Sequence, residues 1–165
     1  MKTRFFLLGL PLVASLVSCS VPSTNDLEVS AHITDASLQI GATPFSTPAN
    51  PQGVLTGVFA LSLSLGELAS KPSEVTVESF ALVNAADQTV LIAPVEVGAS
   101  DPKVATVPIG ETQRVVYHVA FDNKPQPIAK LCAAKQVQYT GTIFDGAQGK
   151  TTPVVGEAFQ IQGCP

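Results

Sequence analysis

Hydrophobic side chains in this chain recur with a period of two. Across residues 54–65, Phe59, Leu61, Leu63 and Leu65 fall on one phase, and Ala60, Ser62 and Ser64 on the other. Successive side chains of a strand point to opposite faces, whereas a helix would scatter these residues around its axis. The alternation returns over residues 112–121. There Val115, Tyr117, Val119 and Phe121 take the core phase, and Arg114, Val116, His118 and Ala120 the outward one. It returns again at Val137, Tyr139, Gly141 and Ile143. The structure that such a period builds is a half-buried antiparallel sheet.

The rest of the chain fits that frame. Leu27, Val29, Ala31 and Ile33 alternate with Glu28, Ser30 and His32. The pattern slips by one residue around Thr34 and Asp35 and resumes at Leu38 and Ile40, as a bulge or tight turn requires. Residues 75–83 and 89–97 are β-rich runs joined at hairpin length by residues 84–88. A short strand is expected over 103–107, between Pro102 and Pro108. The final strand is expected over 152–163, with Phe159 and Ile161 inside. One or two helical turns are expected over 128–135, where Ala, Lys and Leu follow Pro127. Loops are expected at 66–72, at 122–127 and from Asp145 to near Thr151. Residues 41–53 carry Pro44, Pro48 and Pro51 without periodicity and read as a long loop, a length at which loops are often functional or disordered.

About seven to nine short strands with turns between them predict an all-β, antiparallel β-sandwich, with a small barrel as the rival. The segment Pro108-Ile109-Gly110-Glu111-Thr112, before a Val-x-Tyr-x-Val-x-Phe run, resembles the late strands of immunoglobulin-like and fibronectin-III-like modules. That likeness spans about 14 residues and implies an immunoglobulin-like sandwich. The Cys-Trp-Cys pattern of antibody domains is missing, because the chain has no Trp.

The N-terminus reads as a targeting segment. Lys2 and Arg4 precede residues 5–17, which carry no charge. Such a run is short for a bilayer span, which takes about 20 residues, but suits the apolar core of a signal peptide. It ends in Leu16-Val17-Ser18-Cys19, which resembles the lipobox of bacterial lipoproteins. The resemblance implies cleavage after residue 18 and an acylated (palmitate-bearing) Cys19. The polar residues that follow the Cys read as a tether over 19–26, and the chain length and strand pattern give a single folded domain over 27–165. Val17 is less typical than Ala or Thr at its position, and Pro11 interrupts the apolar run. An ordinary secretory signal is the alternative. In the lipoprotein family an Asp after the Cys often marks inner-membrane retention. Here that position holds Ser20, which points to the outer membrane.

The cysteine count agrees. Three cysteines is an odd number, and an odd thiol in an exported chain needs an explanation. With Cys19 acylated, Cys132 and Cys164 remain as a pair in a compartment that permits disulfides. Two free buried thiols or a metal site are the alternatives. A pair without His at ligand spacing is a poor metal site, and the absence of Cys-x-x-Cys argues against redox catalysis.

Charge and motifs restrict function further. The net charge is −4, and loss of Lys2 and Arg4 with a signal peptide would make the chain more acidic still. Nucleic acid is therefore not an expected partner. An acidic surface is also repelled by anionic headgroups, so attachment would fall to the acyl chains. The two histidines, His32 and His118, sit on outward strand phases at no metal-ligand spacing. No nucleophile elbow, phosphate loop or dinucleotide fingerprint occurs. Asp26 and Glu28 lie at the start of a strand, while Asp87 and Asp145 lie in turns, where carboxylates usually bond nearby backbone.

Neither a cofactor nor a metal is expected, and no catalytic residue is assigned. Three functions stay open. The first is a lipid-anchored, non-catalytic binding or assembly-accessory module for another envelope protein. The second is a purely structural envelope lipoprotein. The third is a small hydrolase or metal-handling protein built on His32, His118 and carboxylates.

Overall fold

The computed structural model describes residues 27–120 and 126–164. Ten strands and one helix follow in order. They are β1 (Val29–Gly41), β2 (Gln52–Leu65), β3 (Ser73–Asn84), β4 (Val90–Ile92), β5 (Glu96–Val97), β6 (Val104–Val107) and β7 (Thr112–Ala120), then β8 (Gln126–Pro127), α1 (Ala129–Ala133), β9 (Val137–Asp145) and β10 (Lys150–Val155). They form two five-stranded antiparallel sheets, an all-β sandwich. The first sheet runs β1-β2-β7-β5, with β8 also on β2. The second runs β10-β9-β3-β4, with β6 also on β3. With β1, β2, β7 and β5 lettered A, B, E and D, and β10, β9 and β3 lettered G, F and C, this is the strand order of immunoglobulin-type sandwiches.

The core follows from the alternation. Phe59 of β2 is paired in register with Tyr117 of β7, and their rings stack at 5.4 Å. From the opposite sheet, Phe80 of β3 meets Phe59 edge-on at 4.7 Å and Tyr139 of β9 lies at 4.9 Å. Such aromatic pairs contribute about 0.5–1.5 kcal/mol each beyond the area they bury. Two glycines make room for them. A Cβ on Gly141 would collide with the Phe80 ring and the Ser79 carbonyl. A Cβ on Gly57 would stand 2.7 Å from the Tyr139 hydroxyl, which instead donates to the Ser37 carbonyl at 3.3 Å.

The expected slip in β1 is real. Its register with β2 shifts between Thr34 and Ser37, and Asp35 takes a φ of 51°. Val29, Ile33, Leu38 and Ile40 are buried on either side of it. The expected helical turn is α1, with Leu131 buried beneath it.

Several expectations need correction. The run over 89–97 is not one strand. β4 pairs with β3 in the second sheet and β5 with β7 in the first, so the chain changes sheets around Ala93-Pro94. Pro94 has no N–H to offer a ladder, which suits it to that crossing. The run over 152–163 also breaks. β10 ends at Val155, and the chain then crosses back by single bridges, Val137 to Phe159 and Gln39 to Gln162. Phe159 and Ile161 still pack against the core. Gln126 and Pro127 form a short ladder with Gln52 and Gly53 inside an expected loop. The loop over 41–53 shrinks to 42–51, because both flanking strands extend into it.

Ten strands form among the described residues, three of them pieces of two or three residues, in keeping with the about seven to nine expected. Leu27 precedes β1 and is exposed, while Ala60 is buried despite its outward phase. Phe121 lies outside the described residues.

The sandwich has two distinct ends. The end that receives the chain holds Val29 and the turns 66–72, 108–111 and 146–149. The far end holds the loop 42–51, the turn 85–89, α1 and the Cys132–Cys164 bridge. The thirteen residues of β1 separate the two by about 40 Å, at about 3.3 Å per residue.

Candidate functional site

His32 and His118 both stand on the outer face of the first sheet, as their phase predicts. They are not brought together. β2 lies between their strands, with His32 opposite Ser62 and His118 opposite Val58. Two strand spacings and four residues of offset put their backbones about 16 Å apart. Among the described residues no three His, Cys, Asp or Glu side chains cluster at metal-ligand distance.

His118 has a different partner, one that the sequence did not reveal. Asp101 lies in the turn between β5 and β6, and its carboxylate faces His118 Nδ1 at 3.1 Å. Its other oxygen accepts the backbone N–H groups of His118 at 2.6 Å and Gly98 at 3.1 Å. The Asp101 side chain is 7% exposed and that of His118 is 70% exposed. Burial works against the carboxylate's charge. The His118 side-chain and backbone bonds and the Gly98 N–H outweigh it and hold the carboxyl below the ordinary aspartate range. In sequence, Gly98-Ala99-Ser100-Asp101-Pro102 looks like a turn and nothing more. The contact with residue 118 depends on β5 and β7 being neighbours, which no local signal encodes.

This His–Asp pair resembles half of a catalytic arrangement. No hydroxyl or thiol is bonded to the His118 ring among the described residues. The neighbouring Tyr117 points the other way, into the core. It is fully buried, and its hydroxyl has no partner among the described residues. Burial, with a contribution from the Asp101 charge, pushes its pKa up to about 12. The Tyr139 hydroxyl is likewise pushed up by burial. Neither phenol is primed to give up a proton at neutral pH.

The remaining carboxylates are placed structurally or at the surface. Asp145 is buried and bonds backbone and Ser73, as a turn carboxylate should. Asp87 accepts the Thr89 N–H at 3.0 Å. Glu28 pairs with Lys150 at 2.8 Å. Asp35 pairs with Arg114 at 2.9 Å, an exposed pair beside the β1 bulge. An open recess of about 380 Å³ between β3 and β5 is flanked by Glu78, Glu96 and Lys103, with Phe80, Pro94 and Val95 as its floor. Both glutamates are exposed.

Two surface features stand out instead. The loop 42–51 carries Phe45, which is 69% exposed at the far end. Cys132 of α1 is bonded to Cys164, with Cα atoms 5.5 Å apart, so the bridge ties the C-terminal segment to the helix beside that loop. No described helix is long and apolar enough to cross a membrane. The signal peptide expected over 1–18, Cys19, the tether to residue 26 and Asp26 lie outside the described residues.

No protein-family model matches the chain. No curated protein matches it. Two solved structures resemble it in shape. A Northeast Structural Genomics Consortium target, SoR45, aligns over 84% of this chain and 89% of its own, at 8% identity and a TM-score of 0.44. A Bordetella pertussis protein described as an ApaA protein aligns over 82% of this chain and 96% of its own, at 12% identity and a TM-score of 0.41. Similarity at this level assigns neither a family nor an activity.

Proposed function

We propose that the chain is a lipid-anchored envelope lipoprotein whose immunoglobulin-like sandwich serves as a non-catalytic binding or assembly-accessory module. The observation that carries this is the fate of the cysteines. Cys132 and Cys164 occupy one another, which leaves Cys19 as the odd thiol. That thiol ends the lipobox-like Leu16-Val17-Ser18-Cys19 after a charge-free run. A thioether to diacylglycerol accounts for it, and two or more acyl chains give stable anchoring. Ser20 rather than Asp after the Cys favours the outer membrane.

The binding role draws on the far end. Loops at the end of a sandwich are its usual recognition elements. Here the loop 42–51 carries an exposed Phe45, and Ile128, which leads into α1, donates its N–H to the Pro51 carbonyl at 3.1 Å. The partner would be another envelope protein. The non-catalytic reading is favoured over a hydrolase or metal site shared by His32 and His118, because β2 lies between their strands. Cys19→Ser tests the anchor: the variant is expected to leave the membrane fraction as a soluble or precursor form. Unchanged fractionation would overturn it.

A further inference from the structure

Three large apolar side chains are exposed at the end of the sandwich that receives the chain. Leu27, two residues before β1, is 44% exposed; Leu68, in the turn from β2 to β3, 54%; and Ile109, in the turn from β6 to β7, 38%. Their backbones are held. Gly110 N–H donates to the Leu65 carbonyl at 2.9 Å and Leu65 N–H to the Glu111 carbonyl at 3.1 Å, which joins the turns of Leu68 and Ile109. The Gln148 side-chain amide donates to the Leu27 carbonyl at 2.9 Å, which joins Leu27 to the turn after β9.

We propose that this end rests on a lipid bilayer, with Leu27, Leu68 and Ile109 inserted at the interface. The inference depends on the reading of Cys19 as the acylated residue. Only seven residues, 20–26, separate Cys19 from Leu27, and at full extension they span at most about 25 Å. The end carrying Leu27 is therefore confined near the membrane, while Phe45 stands about 40 Å further out along β1. Confinement raises the effective concentration of lipid at these side chains, so even a weak apolar contact is populated.

The neighbouring charges select the lipid. Glu67, Glu74 and Glu111 lie around Leu68 and Ile109 against a single exposed Lys71 in the same turn, and Lys150 is already paired with Glu28. That surface does not favour anionic headgroups, so the surface proposed is a zwitterionic bilayer.

The chain has no Trp, so a single introduced Trp reports one position without background. The acylated protein, carrying Leu68→Trp, Ile109→Trp or Phe45→Trp, is reconstituted into phosphatidylcholine vesicles with or without brominated acyl chains. Twofold or greater quenching by brominated lipid, with a blue-shifted emission, is expected at positions 68 and 109 and not at 45. Equal emission at all three positions, in protein that floats with the vesicles, overturns the bilayer contact and leaves the anchor intact. Shielding of position 68 from an aqueous quencher, without quenching by brominated lipid, overturns it in favour of a protein surface. Failure of the protein to float with vesicles overturns the acylation reading itself.

Discussion

The carboxylate of Asp145, the last residue of β9, accepts the backbone N–H of Val29, the first residue of β1, at 3.1 Å. The bond joins the two sheets where the chain enters the sandwich. The other carboxylate oxygen takes the Ser73 hydroxyl and the N–H groups of Ala147 and Gln148, at 2.9 and 3.3 Å. Asp145 is 3% exposed.

Removal of this carboxylate orphans several buried donors. Asp145→Ala is expected to cost about 3 kcal/mol, and Asp145→Asn less, because the amide keeps one acceptor. Burial opposes the charge of Asp145, but the bonds from Ser73, Val29, Ala147 and Gln148 outweigh it and lower its pKa. A lowered folded-state pKa gives stability that is fully present above the unfolded value and lost as pH falls through the folded one. Stability should therefore decline as pH drops below the ordinary aspartate value of 3.8. Urea titrations at stepped pH check this, and a decline confined to higher pH would contradict it.

Asp101 holds its turn by the same logic, through two backbone donors and the exposed imidazole of His118. Asp101→Ala should cost about 2 kcal/mol, since it strands the N–H groups of Gly98 and His118. His118→Ala leaves both of those bonds in place and should cost well under half as much. Equal losses in chemical denaturation would show that the ring contact dominates.

Gly141 is required for space, whereas Gly149 is required only for its backbone angle. Gly141→Ala drives a methyl into the Phe80 ring and the Ser79 carbonyl, and should cost about 3 kcal/mol or more. Gly149 has a φ of +65° with open space around it, so Gly149→Ala should cost about 1 kcal/mol. Thermal denaturation of the two variants gives the comparison.

The Cys132–Cys164 bridge spans a sequence separation of 32. In the chain-entropy account, loss of such a loop costs about 3–4 kcal/mol. The double variant Cys132→Ser/Cys164→Ser should therefore fold with a lower midpoint. Two alkylatable thiols in the unreduced, unfolded native chain would contradict the pairing.

Much of this fold was legible in the sequence, because the alternation is local. The period-two runs place β2, β7 and β9, and the slip at Thr34 and Asp35 marks the β1 bulge. Illegible were the places where the chain leaves one sheet for the other, at Ala93-Pro94 and after Val155. A crossing strand keeps its β-rich composition, and only long-range pairing shows which sheet each half joins. The contact of Asp101 with His118 was hidden for the same reason. Gln126 and Pro127 formed a ladder that nothing in their own pattern announces.

Membrane anchoring rests on the chemistry of Cys19, and intact mass spectrometry of the N-terminal peptide of the mature protein reads it directly. The expected peptide begins at Cys19, with a diacylglyceryl group on its sulfur and a further acyl chain on its amino group. A peptide that begins elsewhere, or a Cys19 of unmodified mass, would contradict it.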